Sequence, residues 1–204
     1  MARYIGSVCR LCLRCADKLM LKGGRCYTPK CAVEKRRKPT TRRRRISDRG
    51  LQLIEKQKAR YSYGMMERPF RQLFDRSANQ PGITGDNLQV FLERRLDNVI
   101  YRSGFADSRS QARQLVNQGH IVVNGHITNI PSYLVREGDT ISFKEGSAKT
   151  EYYKQLVESV KGKSVAGWLS LDREKLVSKV SSLPVPDEIE AKFDAKAIVE
   201  YYSR

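Results

Sequence analysis

SRSQARQLVNQGHIVVNGHI, residues 108–127, decides how the chain is read. Ser108 and Gln111 form a capping box, in which the hydroxyl and the amide satisfy backbone N–H groups that a first helical turn leaves unbonded. The box predicts a helix over 109–118, stopped by Gly119. Beyond it, Ile121-Val122-Val123 and His126-Ile127 flank Asn124-Gly125. Asn and Gly tolerate the positive φ that a two-residue hairpin turn demands, so the pattern predicts a hairpin.

Outward from this stretch the chain remains patterned. Residues 86–104 read as one amphipathic helix. Leu88, Phe91, Leu92, Leu96, Val99 and Ile100 form its apolar stripe, and Arg94, Asn98 and Arg102 stand on another face at i, i+4 and i+8. Gly104 is its expected stop. Val135 to Phe143, with Gly138-Asp139 inside it, predicts a further strand, and 151–161 a helix. Residues 164–192 are weakly patterned. The tail 193–204, FDAKAIVEYYSR, returns to helical apolar spacing and is expected to dock.

Toward the start, Ser47 or Asp48 opens a helical region over 47–80, with Leu51, Ile54, Lys58 and Tyr61 on one side. Pro69 sits near the start of a second run, 68–78. Pro81-Gly82 and Thr84-Gly85 read as a linker. The fold class is therefore α+β, mainly helical in its first part and followed by a two-helix and β-hairpin module.

Charge narrows the function. The net charge is +17 over 204 residues. Residues 1–60 hold 19 Lys/Arg against 4 Asp/Glu, residues 61–120 hold 8 against 6, and residues 121–204 hold 12 against 12. An excess concentrated in the first third seeks a polyanion, and phosphate neutralisation releases counterions. Within it, KRRKPTTRRRR (35–45) has eight basic residues and no acidic one. Self-repulsion without an apolar anchor predicts that this run stays unfolded until phosphate neutralises it. A membrane surface would need bulky apolar residues opposite the charges, which the run lacks. No apolar run approaches the ~20 residues of a membrane span, and the start lacks an apolar signal core. A cytoplasmic protein is expected.

Five cysteines fall between positions 9 and 31, spaced Cys9-x2-Cys12-x2-Cys15-x10-Cys26-x4-Cys31. Clustered CxxC spacing in a cytosolic chain points to metal rather than disulfides. Zn(II) takes four tetrahedral ligands, so five thiols compete for four places. The favoured set is Cys9, Cys12, Cys26 and Cys31, with Cys15 a free thiol; four thiolates close the site and make it structural. An iron–sulfur cluster on the same cysteines is the alternative, although the CP of a ferredoxin run is missing. His120 and His126 read as turn or RNA-facing residues. No Ser-His-Asp order, Walker loop or HExxH is present.

LERRLDNVIYRSGFADSRSQARQLVNQGHIVVNGHITNIPSYLVREGDTISF, ending at Phe143, resembles the RNA-binding module of the bacterial small-subunit ribosomal protein four family. GLQLIEKQKARYSYGMMERPFRQLF (50–74) resembles the helical part of that family's first domain. The cysteines at 9, 12, 26 and 31 resemble its zinc-binding form, and the ending IVEYYSR matches too. The resemblance covers most of the chain in family order. It departs from the family after Cys31, where KPTTRRRR replaces a Pro-Pro-Gly-x-His-Gly segment, and Cys15 is not part of the usual zinc set.

The resemblance implies a first domain over 1–86 with the metal knot at its start and the tail 193–204 packed on it. A second domain spans 87–192 and holds the module at about 87–150. It implies a primary binder of small-subunit ribosomal RNA that nucleates assembly, lies near the messenger RNA entry path and contributes to translational accuracy. The implied neighbours are messenger RNA and other ribosomal proteins, especially small-subunit protein five. Carried over by position, the module's RNA face comprises Arg94, Arg95, Arg102, Arg109, Arg113, Gln114 and Asn117. Arg109 and Arg113, at i and i+4, are read as an exposed basic face. Arg36, Arg37, Arg42, Arg43, Arg44, Arg45, Arg49, Lys56 and Lys58 are further candidate RNA contacts. An RNA-modifying enzyme with the same module, such as a pseudouridine synthase, would need a catalytic domain that these residues do not supply. A zinc-finger DNA regulator would leave the module and the tail unexplained. No enzyme activity is expected.

Overall fold

Serine and aspartate caps set the start of three helices. Ser47 Oγ accepts from Gly50 N (3.3 Å), Ser108 Oγ from Gln111 N (3.3 Å) and Asp194 Oδ1 from Lys196 N (2.8 Å). Each occupies a backbone donor that the first turn cannot satisfy. The capping box at Ser108 is offset by one residue: the Gln111 side chain accepts from Asp107 N (2.9 Å). The structure, a computed structural model, describes residues 4–35, 46–160 and 162–203. Candidate contacts Arg36, Arg37 and Arg42 to Arg45 lie outside the described residues. The chain divides into two units, residues 1–89 with 190–204, and residues 90–189.

The first unit is helical: α1 (Cys9–Cys15), α2 (Ala32–Lys35), α3 (Asp48–Ser62), α4 (Glu67–Ala78), the start of α5 (Thr84–Glu93), and a helix late in the chain, Ala195–Tyr202. That last helix packs along α3. The face expected to be buried on α3 is rotated. Leu51 is 51% exposed, while Gln52, Lys56 and Ala59 are buried. Gln52 and Lys56 tolerate burial here because each donates to a carboxylate, although Gln52 Oε1 has no hydrogen-bond partner among the described residues. Gln52 Nε2 donates to Glu200 Oε2 (2.7 Å), and Lys56 Nζ to Glu67 Oε1 (2.7 Å). Glu67 also accepts from Arg60 (3.1 Å) and from the Tyr202 hydroxyl (3.0 Å). The Tyr202 ring packs on Phe74, with centroids 4.6 Å apart. The expected linker at Thr84-Gly85 is instead the first turn of α5. Gly85 permits this close approach, since a Cβ there would lie 3.1 Å from Ala195 Cβ.

In the second unit, α6 (Leu96–Arg102) and α7 (Arg109–Asn117) are followed by β1 (Ile121–Val123), β2 (His126–Ile127) and β3 (Thr140–Phe143). Then come α8 (Glu151–Val160), β4 (Leu169–Asp172) and β5 (Val177–Val180), and the helix at Ala195–Tyr202 is α9. The sheet runs β2-β1-β3-β5-β4, with every pair antiparallel. Asn124 (φ 51°) and Gly125 (φ 83°) make the predicted hairpin turn. Asn124 also locks the turn to β3: its Nδ2 donates to Asp139 Oδ1 (2.8 Å), and its Oδ1 accepts from Thr140 N (2.8 Å). Leu96, Val99, Ile100, Phe105, Val116, Ile121, Ile141 and Val180 form the core. Fully burying such a side chain contributes about 1.5–3 kcal/mol.

Three sequence expectations are corrected in this unit. The single helix over 86–104 is two, because Arg95 adopts an extended backbone (φ −66°, ψ 135°). The segment beginning at Pro131 takes up the unbonded groups at the break. Leu96 N donates to Tyr133 O (2.8 Å), Asp97 N to Pro131 O (3.1 Å), and Val135 N to Arg94 O (2.9 Å). For that reason Val135 lies outside β3, and Gly138 (φ 86°) turns the chain before the strand starts. The weakly patterned stretch 164–192 contains a hairpin, β4–β5. Its buried inward position Ser178 is polar and bonds Ser103 Oγ (2.9 Å), so no apolar alternation marks it.

Burial works against the charge of Glu67, but hydrogen bonds from Lys56 and Tyr202 outweigh it, with Arg60 adding, and hold its carboxyl below the usual range. A depressed folded-state pKa stabilises above the unfolded-state value and is lost as pH falls through the folded one. Glu67→Gln should therefore be less stable than the parent at neutral pH, and the gap should narrow as pH drops below the ordinary glutamate range. Urea unfolding at a series of pH values checks this; a gap independent of pH would remove Glu67 from the α3–α4–α9 contact.

Candidate nucleic-acid interface

The break between α5 and α6 brings two carboxylates inside. Glu93 is 1% exposed and Asp97 3%. Bare buried carboxylates are costly, and here each is surrounded by donors. Asp97 accepts from Arg95 at 2.6 Å and 3.1 Å and from Arg113 at 3.2 Å. Glu93 accepts from Arg102 at 2.9 Å and 3.0 Å and from Asn98 Nδ2 at 2.8 Å. The other end of the Asn98 amide accepts from Arg109 Nε (2.8 Å), and the Arg109 guanidinium lies over the Tyr101 ring (4.6 Å). Arg95, Arg102 and Arg113 thus share two carboxylates, and Arg109 is tied to them through Asn98. The surplus is positive, and each guanidinium is fixed in direction before any partner arrives.

The predicted RNA-face residues separate into groups. Gln114 and Asn117 are exposed on α7. Arg102, Arg109 and Arg113 are half-buried, not the merely exposed face expected for Arg109 and Arg113, because their stems reach back to α5 and α6. Arg94 is half-buried and donates to Val135 O (3.0 Å). Arg95, 4% exposed, sits inside its own ion pair rather than on the surface. In the first unit, Lys56 is likewise buried, at 5%, against Glu67. Lys58 bonds Glu55 (2.8 Å) and Asp17 (3.2 Å). Burial disfavours its charge, yet these two partners prevail and raise its pKa. Arg49 is exposed. His120 Nδ1 lies 2.9 Å from Ser147 Oγ, and His126 is exposed on β2.

Sequence reading missed Glu93, Asp97 and the relay role of Asn98. A continuous helix places both acids off the apolar stripe, so the sequence carried no signal for their burial.

At the start of the chain, Cys9, Cys12, Cys26 and Cys31 line one small cavity of about 10 Å³, together with Lys18, Lys22 and Arg25. Among the described residues no three His, Cys, Asp or Glu side chains already stand at metal-ligand spacing. Cys12 is raised in pKa by burial, against a backbone hydrogen bond at Leu19, and further by Cys26, Cys9 and Cys31. Lys22 N lies 3.4 Å from Cys26 Sγ. Cys15 is apart from that cavity. It is buried with Leu19, and burial pushes its thiol up to about 11 despite nearby Lys58. An ion pair, Lys18 with Glu34, joins the loop after α1 to α2.

The ribosomal protein S4/S9 N-terminal domain family matches residues 3–93, and the S4 domain family matches residues 94–141. The chain is 56% identical over 208 residues to small ribosomal subunit protein uS4 of Dehalococcoides mccartyi. It is 50% identical over 208 residues to that of Pelotomaculum thermopropionicum and 49% identical over 209 residues to that of Thermus thermophilus. Each comparison covers 100% of both chains.

Asp97→Ala leaves Arg95 buried without its carboxylate and should cost about 3–5 kcal/mol. Arg113→Ala, at the half-exposed end of the same carboxylate, should cost about 1 kcal/mol. Chemical denaturation of both variants reads the difference; equal losses would mean that Asp97 does not carry the α5–α6 break.

Proposed function

The chain belongs to the ribosomal protein uS4 family over its whole length, and from this we propose that it is a structural, non-catalytic component of the small ribosomal subunit that binds ribosomal RNA in the bacterial cytoplasm. The observation that carries the RNA-binding reading is the set of arginines on α6 and α7 held in fixed directions by Glu93, Asp97 and Asn98. Folded RNA is recognised by shape and phosphate position, and preset guanidinium groups suit that task. Arg102, Arg109, Arg113, Gln114 and Asn117 form the contact surface in this reading, and Arg94 flanks it. Arg95 supports the surface through Asp97, and Lys56 supports the first unit through Glu67. Arg49 and Lys58 extend the basic surface of α3. Nucleation of assembly, a place near the messenger entry path, contact with small-subunit protein five and a share in translational accuracy rest on the family resemblance.

Arg36, Arg37 and Arg42 to Arg45 are assigned to phosphate contact on charge density alone. Replacing Arg42 to Arg45 by Ala and titrating small-subunit RNA affinity against salt tests this. Each lost phosphate contact should lower the slope of log affinity against log salt by about 0.7–0.9. An unchanged slope removes the run from the RNA-binding surface. Normal assembly combined with poor translation of structured messengers would instead place the run on messenger RNA.

Zinc is the proposed metal, on Cys9, Cys12, Cys26 and Cys31. What supports this set is that the four thiols share one cavity from which Cys15 is absent, while Lys18, Lys22 and Arg25 beside them offset thiolate charge. The Lys22 amide near Cys26 Sγ is the kind of outer partner that orients a thiolate ligand. Bound zinc would supply a cross-link that ties α1 to α2 and contributes to folding, not to a reaction. Metal analysis of purified variants should find one zinc per parent chain, the same for Cys15→Ser, and loss for Cys12→Ser or Cys26→Ser. Retention in Cys12→Ser with loss in Cys15→Ser overturns the set, and iron with sulfide in place of zinc overturns the metal.

A further inference from the structure

A groove of about 270 Å³ opens in the second unit beside α7. Gln111, Gln114, Leu115 and Gln118 form its α7 wall, and His120, Phe143 and Tyr152 close it from the link before β1, from β3 and from α8. The α7 residues are spaced i, i+3, i+4 and i+7, so they share one stripe of the helix. Arg109 and Arg113 lie on the opposite side of α7's exposed strip, which carries Ser110, Gln114 and Asn117. An RNA strand laid along that strip therefore has the fixed guanidinium groups on one flank and this groove on the other.

We propose that the groove receives one unstacked nucleobase of the RNA whose backbone the arginines hold. The inference rests on the RNA-binding reading and adds a base-recognition site to it. Leu115, Phe143 and Tyr152 offer the apolar and aromatic surface on which an extruded base packs. The rim is rich in amides. Gln111 and Tyr152 are engaged internally, Gln111 Nε2 with the Tyr152 hydroxyl (3.3 Å) and the hydroxyl with Phe105 O (2.8 Å), which fixes that wall. Gln114 and Gln118 are exposed at the rim, and His120 presents Nε2 as the ring nitrogen not turned to Ser147. A glutamine amide offers a donor and an acceptor side by side, matching the paired groups on the edge of adenine. Adenine, whose amino group and ring nitrogen such an amide pairs with, is the proposed occupant.

Fluorescence anisotropy with the full chain tests the site. The probes are a ten-nucleotide oligoadenylate and an abasic oligomer with the same sugar–phosphate backbone, compared at fixed salt. The parent should bind the adenine oligomer about tenfold more tightly than the abasic one, the scale of one stacked base. Gln118→Ala with His120→Ala, neither in the arginine contact surface, should shrink that ratio severalfold while leaving abasic affinity and its salt slope unchanged. A smaller rim variant, Gln118→Ala alone, should shrink it partially, which guards against a fold defect in the double variant. If the parent binds both oligomers equally, or if the ratio survives the double variant, the groove is not a base site and the arginine reading stands. If the parent binds neither oligomer nor small-subunit ribosomal RNA, the RNA reading itself falls.

Discussion

Two carboxylates buried on either side of a helix break hold the second unit in its observed form. Glu93 and Asp97 cannot remain charged in an apolar interior without donors, and the donors come from α6 and α7. The break at Arg95, the carbonyls of Pro131 and Tyr133 that cap α6, and the direction of each guanidinium are parts of one arrangement. Buried ion pairs are weak contributors to net stability compared with packed apolar groups, yet removal of one partner is severe. Such a network therefore contributes geometry more than binding energy between α6 and α7. Geometry is what a surface for folded RNA requires.

Much of the second unit was legible in the chain. Ser108, Asn124 and Gly119 act locally, through caps and positive φ, so neighbours in sequence suffice to predict them. The apolar stripe Leu88, Phe91, Leu92, Leu96, Val99 and Ile100 is buried as read. The break inside that stripe was not legible, because it depends on carbonyls almost forty residues later and the stripe runs on undisturbed across it. The β4–β5 hairpin was hidden for a related reason: Ser178 is satisfied by Ser103, a partner 75 residues away.

The candidate site shows the same division. The family resemblance pointed to Arg109 and Arg113, and both lie on α7. Exposure was misjudged, because a guanidinium counts as surface until a buried carboxylate is found beneath it. On α3 the error has the same source. Gln52 and Lys56 read as solvent-facing until Glu200 and Glu67 approach from other helices. The cysteines offer the reverse case. Spacing alone gave five clustered thiols, of which Cys9, Cys12, Cys26 and Cys31 line one cavity while Cys15 packs with Cys12 and Leu19.

The pairing of α9 with α3 has a consequence for the order of events on an elongating chain. Residues 90–189 form a unit from one uninterrupted segment, so all its partners are available once that segment has been synthesised. The first unit begins earlier but lacks Glu200, Tyr202 and Ile198 until residues 195–202 appear. Until then Lys56, Glu67 and Phe74 wait with their α9 face uncovered. Closing that contact spans more than a hundred residues, the kind of distant pairing that slows folding. The segment made later thus completes its core first, and the segment made first is finished last.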